Sequence, residues 1–201
     1  MITKKNIFEE IKKKNYLEVL KNDLVDKVKD KYEDTPLHEL ALKGVKEVLN
    51  HPSVDQVKNN DGETPLHELA QYGVKEILSH PSVDKVKNIY DWTPLHHLAN
   101  KGVKEVLNHP SVDIVKDNFG RTPLHNLARR GVKEVLSHPS VDKVRNDLGD
   151  TPLHFLARYR YITKKDLRKK YPWYKKEIKD ILKAVNEIDD TPKSIQFILE
   201  D

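Results

Sequence analysis

Between Thr64 and Asn88 the chain reads TPLHELAQYGVKEILSHPSVDKVKN, and its apolar residues fall into two short groups. Leu66, Leu69 and Ala70 recur at spacings of three and four, as do Val74, Ile77 and Leu78, so each group forms one stripe on a helix. The punctuation agrees. Thr64 has the chemistry of an N-cap and Pro65 that of a first helical residue, while Gly73 can take the positive φ that ends a helix. The second helix must stop near His80, because Pro81 pushes its predecessor out of helical geometry. Val83 and Val86 lie among polar residues in Ser82 to Asn88, a segment that reads as an extended loop leading through a turn to the next Thr-Pro.

The same pattern recurs. Thr35, Thr64, Thr93, Thr122 and Thr151 each open a Thr-Pro-Leu-His, at intervals of 29 residues. A fixed period in this range marks stacked units, none of which can bury its apolar face alone. Gly44, Gly73, Gly102 and Gly131 end first helices, and Gly62, Gly120 and Gly149 lie in loop turns. All seven glycines are thereby used, and none is left for a phosphate-cradling loop.

TPLH followed by an alanine and then a glycine, with a turn of the D-N-F-G-R kind before the next TPLH, resembles the ankyrin repeat over roughly residues 15 to 160. The resemblance implies an all-α, helix-turn-helix solenoid with projecting loops or β-turns. Two departures stand out. The family period is about 33 residues, and the residues absent here fall in the second helix. The family's alanine two places after the histidine becomes Leu40, Leu69, Leu98, Leu127 or Leu156, a larger side chain suited to filling the volume that a lost turn vacates.

The expected organisation is an N-terminal capping repeat over 1–34, repeats over 35–162 and a helical C-terminal cap over 163–201. Residues 6 to 34 align with the repeat, Phe8 and Ile11 taking the places of Leu37 and Leu40. At the far end Arg160 stands where a glycine is expected, and the register breaks there. Thr163 with Asp166 reads as a capping box for a short helix ending before Pro172. Ile178, Ile181, Leu182 and Val185 mark a longer helix, and Ile195, Ile198 and Leu199 a last apolar face. Deleting this cap should expose Leu153 and Leu156.

Composition narrows the function. The chain has 37% hydrophobic and 34% charged residues, no cysteine and a formal net charge of +4. Without cysteine there is neither a disulfide framework nor a thiolate nucleophile. No run of about 18 apolar residues suits a membrane span, and no apolar stretch follows the basic residues of the first twenty. The expectation is a cytoplasmic monomer without membrane contact. The positive excess lies in residues 151 to 201, above all in RYRYITKKDLRKKYPWYKK, which has nine basic residues and one acidic.

Ten histidines raise the question of metal. Equivalent residues of neighbouring repeats sit about 8–10 Å apart, too far to share one ion, so the TPLH histidines are expected to bond turn backbone next door. No metal and no cofactor is expected. No paired-carboxylate, Ser-His or HExxH arrangement stands apart from the repeat, which argues against an enzyme. The basic segment, with Tyr159, Tyr161, Tyr171, Trp173 and Tyr174 interleaved, has two readings: a nucleic-acid contact through charge and stacking, or a solvated capping helix whose aromatics face the core.

The copies differ where the family resemblance implies partner contact, at loop tips and the outward face of the first helices. The candidate partner-binding residues are Tyr72, Ile89, Tyr90, Trp92, His97, Phe119, Arg121, Asn126, Arg129 and Arg130. Trp92 itself has two readings, an interface anchor or a ring folded back over its own first helix. The function expected is that of a non-enzymatic protein-binding scaffold. The alternatives are a nucleic-acid-binding protein using residues 158–176 and an engineered or ancestral scaffold without a natural partner.

Overall fold

The computed structural model describes residues 2 to 170. It is all-helical, with no strand among the described residues. Helices α1 (Ile7–Lys12) and α2 (Tyr16–Leu20) precede five first helices: α3 (Pro36–Leu42), α4 (Pro65–Tyr72), α5 (Pro94–Lys101), α6 (Pro123–Arg129) and α7 (Pro152–Arg158). Each of the five packs on the next. Between them lie 3₁₀ segments η1 (Lys46–Asn50), η2 (Lys75–Ser79), η3 (Lys104–Asn108) and η4 (Lys133–Ser137), and α8 (Lys164–Lys170) follows α7. The second helix of each unit is therefore a 3₁₀ turn rather than an α-helix. Between the glycine turn and the His-Pro the bonds close three residues back, Ile77 N–H on Val74 O at 3.4 Å and His80 N–H on Ile77 O at 2.9 Å, a tighter spacing that suits so short a piece.

The first helices show why Thr-Pro-Leu-His recurs. The threonine N–H donates to Nδ1 of the histidine three places on, at 3.1 Å in α3 and 3.1 Å in α4, so the imidazole does the work a glutamate does in an ordinary capping box. Pro65 has no N–H to satisfy. The Leu66 N–H, the next helix donor, bonds the Val54 carbonyl of the preceding unit at 2.9 Å, and Leu95, Leu124 and Leu153 do the same with Val83, Val112 and Val141. A helix start thus holds its neighbour.

That bond depends on Val83 being placed by a turn. Ser82 to Val86 is not extended: Lys85 and Val86 both donate to the Ser82 carbonyl, at 3.1 and 3.3 Å, and only the residues after them straighten. The spacing of Val83 and Val86 was the helical signal in that segment. Val83 is buried in the same core as Ile77.

The core runs the length of the row through fully buried Leu37, Leu40, Leu66, Leu69, Leu95, Leu98, Leu124, Leu127, Leu153 and Leu156. Gly73, at φ 98°, closes α4 as Val74 N–H reaches back to Leu69 O at 3.0 Å. Gly44 has a second duty: the Tyr72 ring lies over it so closely that a Cβ would collide.

The ends correct two expectations. Ile7 and Ile11 are the buried residues of α1, while Phe8 is only partly covered. The register does not break at Arg160. Arg160 takes φ 57° in place of glycine, and the Tyr161 N–H still closes onto Leu156 O at 2.9 Å. The Tyr161 ring covers Gly131, so the chain past α7 lies against the row. Thr163 and Asp166 form the expected capping box, Thr163 N–H to Asp166 Oδ2 at 2.8 Å and Asp166 N–H to Thr163 Oγ1 at 3.2 Å. The helix marked by Ile178 to Val185, the face marked by Ile195 to Leu199, and Tyr171, Trp173 and Tyr174 lie outside the described residues.

Candidate functional site

Each repeat projects a turn built on one amide or carboxylate. In the third repeat Asn88 Oδ1 accepts from Tyr90 N–H and Trp92 N–H, both at 2.9 Å, and the Asn88 N–H bonds Trp92 O at 3.0 Å. Asp91 occupies the left-handed position, φ 59°, that glycine fills in most copies; aspartate is among the few side chains that tolerate it. The tips are linked in series. Ile89 N–H donates to Asp61 O at 3.0 Å, Asn118 to Tyr90 O at 3.2 Å and Asp147 to Phe119 O at 3.1 Å.

At every tip but the second, where Asp61 stands, the equivalent side chain is apolar or aromatic. Tyr32, Tyr90, Phe119 and Leu148 hold equivalent positions and are exposed, Tyr90 by 55% and Phe119 by 59%; Ile89 is exposed beside them. Below, a cavity of about 340 Å³ opens between the third and fourth turns, lined by Glu63, Asn88, Tyr90, Trp92, His97, Phe119 and Arg121. A second, of about 300 Å³, lies on the helix side of Trp92 and His97, where Gln71, Asn100, Lys101 and Arg130 complete it. The rings of Trp92 and His97 form the wall common to both.

Trp92 is fixed in that wall. Its ring stacks on His96 and meets His97 edge-on, with centroids 6.0 and 5.0 Å away, and its Nε1–H donates to Asp117 Oδ2 of the next repeat at 3.0 Å. Asp117 is the most heavily used acceptor of the region. Oδ1 takes the Phe119 and Arg121 N–H groups, and Oδ2 also takes Arg121 Nε at 2.9 Å, with Nη2 2.8 Å away. Burial alone would raise its pKa, but Arg121 and the backbone donors hold the carboxyl below its usual range.

Repeat two holds two more buried carboxyls. Glu63 Oε1 accepts from Asn88 Nδ2 at 2.6 Å and lies 3.2 Å from His97 Nε2, which is attracted but makes no hydrogen bond. Burial works to raise Glu63, and His97, His67 and Asn88 overcome it, so it is lowered. Glu68 is 5% exposed, with Oε2 unpaired. Burial, followed by the charges of Glu63, Asp34, Asp61 and Glu39, pushes it up to about 8.

The TPLH histidines are structural ties. Nε2 of His38, His67, His96 and His125 reaches the carbonyl of Glu63, Trp92, Arg121 and Asp150 in the next repeat at 3.1, 3.1, 3.2 and 3.1 Å. Because Nδ1 accepts the threonine N–H, the proton belongs on Nε2 and the ring is neutral. Burial is the main reason that His67, His96 and His125 fall to about 4. Among the described residues no group of three or more His, Asp or Glu is placed to hold a metal ion, and no helix is long and apolar enough to cross a membrane.

Of the ten candidate contact residues, Tyr90, Trp92, His97, Phe119 and Arg121 meet at one cavity, and Arg130 joins Trp92 and His97 at the other. Arg129 stands beside Arg130, both bonded to Asn100 Oδ1. Tyr72 is exposed but lies apart, over Gly44. Asn126 leaves the set: it is 1% exposed, its amide turned to His96 O at 3.4 Å, because the first helices pack closely enough to cover that position. Asn88 and Asp117 are the site residues that sequence reasoning missed. Their signal was present, since the equivalent positions read Asp30, Asn59, Asn88, Asp117 and Asn146, always an amide or a carboxylate able to accept from its own turn. No family model matches the chain, and no curated protein matches it either.

Proposed function

We propose that the chain is an ankyrin-like solenoid that serves as a non-enzymatic protein-binding scaffold, contacting its partner through the loop tips and helix face of the third and fourth repeats. The observation that carries this reading is the row of exposed apolar tips, above all Tyr90 and Phe119, beside an open, largely apolar cavity. Exposed aromatics clustered with arginine are the composition of an interface centre. Trp92 supports these tips from beneath and is not the outermost anchor. At the start of the basic segment Arg158 pairs with Asp150 at 2.8 Å and lies over Phe155, and the rings of Tyr159 and Tyr161 lie tilted to one another, 6.2 Å apart.

The test is capture from native extract, identification of the captured protein, and titration of that purified partner against the chain and its Tyr90→Ala and Phe119→Ala variants. Each variant is expected to keep its melting temperature and to weaken binding by about 2 kcal/mol, the scale of a hot spot. Unchanged affinity in both variants sinks this assignment of the surface.

A further inference from the structure

The first helices of repeats three and four end in cations that lack a counter-charge. In α3 Glu39 stands four residues before Lys43 and pairs with it at 3.0 Å. The equivalent positions read His97 and Lys101 in α5, Asn126 and Arg130 in α6, so the cation is kept and the carboxylate is not. Arg158, at the end of α7, has Asp150 at 2.8 Å, and Arg121 has Asp117 at 2.8 Å. Arg129 and Arg130 share a neutral oxygen instead, Asn100 Oδ1, at 2.7 and 3.2 Å. Among the described residues no carboxylate pairs with either arginine or with Lys101.

A cation in the last turn suits the helix dipole, which accounts for one charge at each helix end. It does not account for two guanidiniums converging on one amide oxygen. Arg129 is only partly exposed there, and burial, followed by the charges of Arg121 and Arg130, lowers its pKa, as expected of a cation short of counter-charge.

The place is open to a ligand. Arg130, Lys101 and Asn100 line the helix-side cavity of about 300 Å³ with Trp92 and His97, the rings that also line the tip-side cavity of about 340 Å³ with Tyr90 and Phe119. Two groups that each touch the shared wall, one from either cavity, lie roughly 7–8 Å apart. Side chains two positions apart on an extended chain point the same way and are about 7 Å apart. A guanidinium fork takes both oxygens of a carboxylate. Nucleic acid needs a run of cations along its phosphates, and the flanking Arg121 and Arg158 are already spent on Asp117 and Asp150.

We propose that the ends of α5 and α6 form an acid-binding subsite, at which an extended segment of a protein partner seats an aspartate or glutamate on Arg129 and Arg130, with Lys101 beside them. An apolar or aromatic side chain two residues from that acid fills the cavity between Tyr90 and Phe119. The partner thereby supplies to repeats three and four the carboxylate that Glu39 supplies within repeat one. The proposal rests on the protein-binding reading and adds the chemistry of the partner.

The experiment is selection of a random twelve-residue peptide library on the immobilised full chain, followed by titration of the enriched peptides against the chain and its variants. Enriched sequences should share an aspartate or glutamate two residues from an apolar or aromatic one. Affinity should fall about tenfold or more in Arg129→Ala and in Arg130→Ala, and Arg130→Glu should shift the preference towards peptides whose acid is replaced by lysine. Asn100→Asp places a carboxylate on the two arginines from within the chain, so it should raise the melting temperature and weaken acidic peptides about tenfold; arginines with a purely structural role would give the first change without the second. Binders without the acid, or binders indifferent to all of these substitutions, overturn the proposal. If such binders still lose affinity in Phe119→Ala, the protein-binding reading survives alone. A single-stranded oligonucleotide that displaces the peptides, and no longer binds the Arg129→Ala variant, assigns the cluster to phosphate and also overturns the proposal. So does a library that yields no binder, and if no partner is captured from extract either, both readings fail.

Discussion

The junction of repeats two and three and that of repeats three and four share one backbone, yet their side-chain bonds run in opposite directions. At the first, the Asn88 amide donates back to the Glu63 carboxylate at 2.6 Å, just as Asn59 donates to Asp34 at 2.8 Å one junction earlier. At the second, Trp92 replaces the carboxylate and donates forward, and Asp117 replaces the amide and accepts. Either partner changed alone would set donor against donor or acceptor against acceptor in a buried place, where an unsatisfied group costs about 1–3 kcal/mol. Changed together, they leave the turn intact. The large apolar side chain in a polar turn is thus half of an exchanged pair.

The largest effect expected is one that both junctions share. Unfolded histidine titrates near 6.5, and the buried rings of His67, His96 and His125 near 4. As pH falls from about 6.5 towards 4 the unfolded chain takes up protons that the folded chain refuses, so stability that is complete above that window is lost within it. The loss is on the order of 3 kcal/mol for each ring at the bottom of the window. Denaturant midpoints measured from pH 7.5 to 4 should fall steeply, and His67→Gln should flatten the fall about as much as His96→Gln, since neither depends on which way the junction bond points. A flat profile would remove the neutral histidine ties from the account.

The next effects break the comparison directly. Asp117→Asn keeps the oxygen that holds its own turn but sets an NH₂ against Trp92 Nε1 and leaves Arg121 unpaired, which should cost about 3 kcal/mol in chemical denaturation. Adding Trp92→Glu rebuilds the Glu63–Asn88 pattern and should recover at least about 1 kcal/mol beyond additivity, a coupling a double-mutant cycle reads directly. Additive losses would mean that the two residues are not a pair. In the mirror experiment Asn88→Asp places a carboxylate against Glu63 and should cost about 2 kcal/mol at pH 7, less at pH 5, where one of the two takes up a proton. Smallest is Trp92→Phe, which keeps most of the stacked ring and loses one hydrogen bond, about 1 kcal/mol on the same denaturation assay.

Much of this organisation was legible in the chain. Thr-Pro, the glycine after the first helix and the leucine spacing fix the first helices, because those signals are local and each has one backbone consequence. The TPLH histidines were legible as ties because only one neighbour lies within reach of a ring at that position. What was not legible depended on pairing across 25 residues: Trp92 kept two readings, an outward anchor or a ring folded back over its own helix, because the sequence does not display Asp117 beside it. Asn126 misled for a related reason, since a polar residue on the outward stripe of a helix is covered when the next helix packs close. The 3₁₀ turns and the coiled Ser82–Val86 segment were hidden by length, five residues being too few for periodicity to separate one kind of turn from another.

The junction bonds also define what can be copied. Where Asp34, Asn59, Glu63 and Asn88 meet, every unit offers its successor an acceptor and its predecessor a donor, so a 29-residue segment could be duplicated or removed there and the ends would still match. Repeat three breaks this grammar. A second copy of it inserted after itself would present the Trp92 N–H to the new copy's Asn88 amide, donor to donor, while the Asp117 that answers it moved one place away. Repeats three and four can therefore be inherited, swapped or spliced into another array only as a pair, and the unit of recombination at the centre of this protein is 58 residues rather than 29, two periods of the sequence.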